Sequence, residues 1–119
     1  MLVGFYYDPW HGGCLRRILK VNVDTYRILG VYGNDESTNV SKKLEYDPEP
    51  SSMTNKFWNA TLVVTEKKED VYKLSVDFSQ KKGKKRFTYK ATYVVKERVI
   101  KWDDSNIWKQ LYHHPKQLR

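Results

Sequence analysis

The densest mixture of chemically capable residue types lies near the start of the chain. His11 and Cys14 are spaced as H-x-x-C, and Asp8 lies three residues before His11. A histidine beside a cysteine can act as the base that lowers a thiol pKa, and both residue types bind zinc. A zinc site needs three or four convergent ligands, and the only other histidines are His113 and His114. We therefore expect no metal and no cofactor.

The same residues have a structural interpretation. Asp8 followed by Pro9 is typical of a turn, the two glycines at 12–13 permit positive backbone angles, and Cys14 can be a small buried hydrophobic residue. No Ser-His-Asp signature and no glycine-rich phosphate loop is present. The sequence leaves catalysis by His11, Cys14 or Asp8 open and favours a protein that is not an enzyme.

A second group of residues lies near the end of the chain, where Trp102 and Trp108 flank the acidic segment 103–106. The two indoles can pack across a hairpin and fix its register, or they can form the floor of an apolar ligand cavity. Together with the aromatic and polar residues of other segments, they give the following ligand-binding candidates: Tyr6, Asp8, His11, Tyr32, Trp58, Trp102 and Trp108.

The charge is unevenly distributed along the chain. The net charge is +8, and the last 39 residues hold 12 basic and 3 acidic residues. A cluster of this kind attracts phosphates, nucleic acid or an acidic protein surface, although the tip of a β-hairpin also carries lysines that block edge pairing. The densest cluster gives the polyanion-binding candidates Lys81, Lys82, Lys84, Lys85 and Arg86.

Aromatic and basic residues alternate after this cluster, as they do in proteins that bind single strands. Phe87, Tyr89 and Tyr93 share one face with two small apolar residues, and Lys90 lies on the other. The pattern therefore predicts that these rings point to the core, which weakens base stacking and leaves phosphate contact open.

The elements that position these residues show a period of two. We predict strands at 15–23, 26–32, 58–64, 71–78, 87–95, 99–102 and 107–112, with turns at 66–70, 96–98 and 103–106. Gly30 indicates a bulge or a close approach. Seven or eight strands joined by hairpins predict an all-β protein, an antiparallel meander closed into a small calycin-like barrel or doubled into a sandwich.

The chain of 119 residues is expected to form one domain, 1–119. A polar segment at 34–55 is either a lid over a barrel mouth or an inert insertion, a turn of helix is expected within 37–44, and a basic tail occupies 113–119. No signal peptide or membrane-spanning run is visible, and a single cysteine fits a reducing compartment. These features favour an intracellular protein without a membrane partner.

Three motifs resemble a group of small uncharacterised proteins of algae, other protists and their large viruses. In this chain the motifs are Y-x-D-P-x-H-x-x-C-x-R-x-I from Tyr6, V-D-F-S-x-K from Val76 and I-x-W-x-D-x-N-x-W from Ile100. The resemblance implies a compact all-β domain and gives no indication of an activity. The chain departs from the pattern at Ser105, where the group has glycine. The chain also resembles, more faintly, lipocalin-like and avidin-like barrels. Those barrels begin with a Gly-x-Trp strand, and the segment 4–6 of this chain has no tryptophan.

These observations favour a non-enzymatic β-barrel that binds a small ligand or a protein partner. The alternatives are a nucleic-acid or polyanion binder acting through residues 81–86, and a structural component of a larger assembly. For the polyanion binder we expect affinity that falls steeply with salt and is lost when Lys81, Lys82, Lys84 and Lys85 are replaced by alanine.

Overall fold

The computed structural model describes residues 2–11, 15–31, 57–79 and 87–111, with only the backbone described at 11, 15, 31 and 57. These residues form eight strands and one short 3-10 helix at Pro9–His11. The strands are β1 (Gly4–Tyr7), β2 (Leu15–Lys20), β3 (Thr25–Val31), β4 (Phe57–Lys67), β5 (Val71–Asp77), β6 (Thr88–Val94), β7 (Val99–Trp102) and β8 (Ile107–Gln110).

Each strand pairs antiparallel with the next one along the chain, and β8 pairs with β1 to close the barrel. The predicted all-β meander is therefore confirmed, and closure decides for the barrel over the sandwich. The seam is short, because β1 and β8 share only the pairs Tyr6↔Gln110 and Tyr7↔Lys109. The other strand pairs share three to seven residue pairs each.

The strands differ from the predicted ones mainly at their ends. The strand predicted at 15–23 ends at Lys20, and Val21 and Val23 lie exposed in the turn that follows. The turn predicted at 66–70 begins later, since β4 continues through Lys67 after a register shift between Val64 and Glu66. The prediction that Phe87 points to the core is wrong, because this residue precedes β6 and is 53% exposed.

The middle of the barrel is filled with side chains. Apolar side chains with zero solvent-accessible area border no space that a water molecule could enter, and such side chains come from seven of the eight strands. They are Tyr6, Ile18, Ile28, Leu62, Val76, Tyr93 and Ile100. This packing follows from the period of two, which turns alternate residues inward on every strand.

Connections alternate between the two ends of the barrel, as they must in an antiparallel meander. Short turns at 21–24, 68–70 and 95–98 lie at one end, where Leu2 is also buried. The last residues of β1, β3, β5 and β7 lie at the other end. Trp10, Trp58, Trp102 and Trp108 are all at this second end, which we call the tryptophan end; they are the four tryptophans of the chain.

Gly30 is a point of close approach, as the sequence predicts. A Cβ at this position would lie 2.2 Å from Trp58 Cζ2, so the indole ring occupies the space of the missing side chain. The alternative of a bulge is not observed, because the pairing of β3 with β4 runs without a shift from Thr25↔Val63 to Val31↔Phe57.

The turn between β7 and β8 forms where the sequence predicts it, and it contains a strained residue. Ser105 has a φ of 77°, in the region where a Cβ is unfavourable. The Ser105 N–H donates to the Trp102 carbonyl, and the Asn106 N–H donates to Asp104 Oδ1. This is the position at which the resembling proteins are expected to have glycine.

Replacing this residue by glycine should stabilise the protein. We expect Ser105→Gly to raise the free energy of unfolding by about 0.5–1 kcal/mol in urea titrations, because removing the Cβ relieves more strain than glycine adds in unfolded-state entropy. Ser105→Ala is the matched control; it keeps a Cβ and should give no gain. A Ser105→Gly variant less stable than the original would contradict this account of the turn.

Several predictions fall outside the described residues. These are the predictions for Cys14, Tyr32, the lid or insertion at 34–55, the helical turn within 37–44, the basic residues Lys81, Lys82, Lys84, Lys85 and Arg86, and the tail at 113–119. Among the residues that are described, no helix is long and apolar enough to cross a membrane.

Candidate functional site

The tryptophan end brings together four of the seven ligand-binding candidates. Asp8 directly follows β1, Trp58 is the second residue of β4, and Trp102 and Trp108 lie on the two strands of the last hairpin. All four side chains are buried. For His11 the backbone lies at this end, in the 3-10 helix after Asp8, and its side chain is outside the description.

A buried arginine lies at the centre of this group. Arg16 is on β2, opposite Tyr6, and its side chain has no exposed area. Its guanidinium carbon is 5.1 Å from the ring centroid of Trp58 and 5.9 Å from that of Trp108. Both distances are within the range of cation–π attraction, which is strongest with tryptophan and where water is excluded.

Asp8 supplies the opposite charge and joins three parts of the chain. Its Oδ2 accepts a hydrogen bond from Arg16 Nη2 at 3.2 Å, in a buried ion pair. Its Oδ1 accepts from the backbone N–H of Trp10 at 3.0 Å and from Asn106 Nδ2 at 3.0 Å. The contact to Trp10 is the turn expected of Asp-Pro. With 1% of its surface exposed, Asp8 is placed to hold the barrel end together and does not face solvent as a general acid or base would.

Aromatic rings continue from Arg16 around the barrel end. The ring centroids of Trp58 and Phe78 are 5.7 Å apart, those of Phe78 and Trp102 5.6 Å, and those of Trp102 and Trp108 4.8 Å. Since Arg16 contacts both Trp58 and Trp108, the five side chains form a closed cycle of contacts. The predicted packing of Trp102 against Trp108 is present, with the two residues as diagonal neighbours on β7 and β8.

The indole N–H of Trp102 is a buried polar group within this cycle. Trp102 Nε1 is buried, and no acceptor for its N–H exists in the part of the chain that the structure describes. Buried donors are nearly always hydrogen-bonded, and leaving one unsatisfied costs about 1–3 kcal/mol. The Trp102 N–H is therefore a buried donor at the tryptophan end that meets no acceptor among the described residues.

Tyr6 does not belong to this site, although it was a candidate. Its hydroxyl points to the opposite end of the barrel and donates to the Leu2 carbonyl at 2.6 Å. Nearby, the Tyr93 hydroxyl donates to Gln110 Oε1 at 2.7 Å, and Gln110 Nε2 donates to the Val3 carbonyl at 3.1 Å. Burial raises the pKa of both tyrosine hydroxyls above the ordinary value, so both stay neutral donors and hold the N-terminal residues in place.

Sequence reasoning missed two polar members of the site. Arg16 was identified only as part of a motif, and Asn106 only as part of a motif and of a turn. One feature of the sequence could have identified Arg16. It is two residues from Ile18 on a predicted strand, so the two side chains share one face, and Arg16 has to point inward with Ile18. An inward arginine requires a buried carboxylate, and the acidic residues nearest to it in the sequence are Asp8 and Asp24, each eight positions away.

Two large apolar side chains stand at the rim of this end. Trp10 in the 3-10 helix is 55% exposed, and Phe87 before β6 is exposed to a similar degree. Within the described ranges, no three His, Cys, Asp or Glu side chains lie close enough together to hold a metal ion.

Comparison with known proteins adds no relative. No protein-family profile, no curated protein and no solved structure matches this chain.

Proposed function

We propose that this protein is a non-enzymatic binding module and that a small ligand binds at the tryptophan end of the barrel. The observation that carries the proposal is the buried Trp102 N–H, which meets no acceptor among the described residues. A ligand oxygen would supply the missing acceptor and recover the free energy that the unsatisfied donor costs.

The surroundings of this donor suggest the chemistry of the ligand. Trp102 contacts the rings of Phe78 and Trp108, and aromatic rings favour flat apolar partners. The ligand would therefore combine an aromatic or other flat apolar body with one carbonyl or carboxylate oxygen. Because the cycle of side chains is closed, ligand entry displaces at least one of them, and the exposed rings of Trp10 and Phe87 lie at the rim where such a ligand first arrives.

The indole N–H signals of the four tryptophans provide a direct test. In a ¹H–¹⁵N NMR spectrum each tryptophan gives one indole signal, and the Trp102→Phe variant identifies the signal of Trp102 by its disappearance. We expect naphthalene-1-carboxylate to shift the Trp102 signal downfield, in the direction that hydrogen bonding to an acceptor produces. The ligand 1-methylnaphthalene has nearly the same shape and no acceptor; it is the matched control and should produce no such shift.

Trp102→Phe should also weaken the binding of naphthalene-1-carboxylate at least tenfold, because a hydrogen bond to a charged group contributes about 1.5–3 kcal/mol and a tenfold change corresponds to about 1.4 kcal/mol. An unmoved Trp102 signal across a panel of aromatic carboxylates and ketones would overturn the proposal. A shift of the Trp10 signal alone would place binding on the rim and would equally overturn the role of the buried donor.

A further inference from the structure

A second feature lies on the outside of the barrel, on strands β4–β7. It is an open groove of about 460 Å³ that runs across the four strands. Its exposed lining side chains are polar or charged, since Leu74 and Ala91 are turned into the core. The lining residues are Thr65, Glu66, Lys73, Leu74, Lys90, Ala91, Thr92, Lys101 and Asp103.

Three lysines surround a threonine in this groove. Thr92 on β6 pairs with Lys73 on one side and with Lys101 on the other, so the three residues lie in one row across the sheet. Neighbouring strands are about 4.8 Å apart, which places the two lysine backbones about 10 Å apart. Lys90 is two residues from Thr92 along the same face, about 7 Å away.

The charges of this groove are unevenly balanced. No carboxylate of the described residues forms an ion pair with Lys73 or Lys90, and Lys101 Nζ is 3.4 Å from Glu97 at the exposed surface. The two acidic lining residues lie beside these lysines, and Glu66 is directly opposite Lys73 in the pairing of β4 with β5. Glu66 pairs with Lys68 at 3.4 Å, and Asp103 Oδ2 accepts from the backbone N–H of Lys90 at 3.1 Å. The lining therefore holds three lysines against two carboxylates, an excess of one positive charge, and the Thr65 hydroxyl donates to the Lys73 carbonyl at 3.3 Å.

We propose that this groove binds the sugar–phosphate backbone of a single nucleic-acid strand. Lysine and threonine side chains are common donors to phosphate oxygens, and single strands follow positively charged grooves. The excess of basic residues in the last 39 positions adds a long-range field of the same sign. Since no aromatic side chain lines the groove, binding is independent of base sequence.

An acidic protein fits the groove less well. Stable protein interfaces depend on buried aromatic or aliphatic anchors at their centre, and the groove exposes none. Phosphate-backbone binding is electrostatic and needs no apolar anchor. The inference is also independent of the ligand site proposed above, because the groove is on the outer face and Trp102 points inward.

Fluorescence anisotropy with a labelled 20-nucleotide single-stranded DNA tests the proposal. The variant Lys73→Gln/Lys90→Gln/Lys101→Gln should bind at least tenfold more weakly at low salt. Each phosphate contact contributes about 0.7 to the slope of log K against log salt concentration for a single strand. The slope of the variant should therefore be smaller by about 2.

The matched control is Lys20→Gln/Lys96→Gln/Lys109→Gln, which removes the same charge from exposed lysines outside the groove. It should change affinity less than threefold, and Trp102→Phe should not change it. Equal losses in the two triple variants, or absence of DNA binding by the unmodified protein at low salt, would overturn the proposal. Displacement of the DNA by poly-glutamate as effectively as by unlabelled DNA would overturn it in favour of an acidic protein partner.

Discussion

Replacing Asp8 by asparagine is expected to lower the free energy of unfolding by about 3–5 kcal/mol, the range found when one member of a buried ion pair is removed. Asparagine has nearly the same shape, and its Oδ1 can still accept from Trp10 and Asn106. The loss therefore comes from Arg16, whose guanidinium remains between two tryptophan rings without its counter-charge. Urea denaturation followed by circular dichroism measures the change.

The double variant Asp8→Asn/Arg16→Met separates charge from packing. Methionine fills the space between the two indoles without a charge, so the double variant should be more stable than Asp8→Asn alone. Lys67→Met is the control at the surface, where the cation lies 5.1 Å from the Tyr72 ring and is exposed; it should cost less than about 1 kcal/mol. Equal losses of unfolding free energy for Asp8→Asn and Lys67→Met would show that the buried ion pair contributes no more to stability than the exposed cation–π contact.

Gly30→Ala is the second change for which we expect a large effect, a loss of about 3 kcal/mol. Its Cβ would lie 2.2 Å from Trp58 Cζ2, so either the indole ring or the backbone of β3 must move. Overpacking of this kind costs about 1–3 kcal/mol and occasionally more. The ring also contacts Arg16 and Phe78, so its displacement disturbs the whole tryptophan end. We place the expected loss at the upper end of the range for this reason, and near-ultraviolet circular dichroism should change with it.

A second-site change tests the cause of this loss. Trp58→Leu removes the ring that fills the space beside Gly30, so Gly30→Ala should cost less than 1 kcal/mol in that background, a coupling of about 2 kcal/mol. Asn59→Ala, an exposed position of the same strand, is the control and should lie within about 0.5 kcal/mol of the original. A full loss in the Trp58→Leu background would mean that the indole is not the obstacle.

The strands were predictable wherever alternation continued over several residues. In β5 and β6 the inward residues Leu74, Val76, Ala91 and Tyr93 alternate with polar ones, and both strands appear within one residue of the predicted ends. β1 was not predicted, because it has four residues and alternation over so short a segment is not distinguishable from chance. Phe87 fits the alternation of β6, but the strand starts one residue later and the rule no longer applies to it.

The candidate site was predictable in its aromatic members and not in its polar centre. Tryptophans are conspicuous in any sequence, and the Trp102–Trp108 pair is local to one hairpin. The ion pair of Arg16 with Asp8 spans only eight residues, but the bond from Asn106 Nδ2 to Asp8 joins residues 98 positions apart. Such a contact depends on the closure of the whole barrel, which local periodicity does not encode. The outer groove was missed for a similar reason, since Lys73, Lys90 and Lys101 come from three strands.

The short seam between β1 and β8 has a consequence for the synthesis of this protein. Gln110 Nε2 bonds to the Val3 carbonyl across 107 residues of sequence, so the first strand meets its last partner only after β8 has left the ribosome. Until then any sheet that has formed carries two open edges, and open edges recruit strands from other chains. The strand β8 (Ile107–Gln110) therefore decides whether a nascent chain closes on itself or pairs with its neighbours, and a truncation within β8 should affect the yield of soluble protein far more than its length suggests.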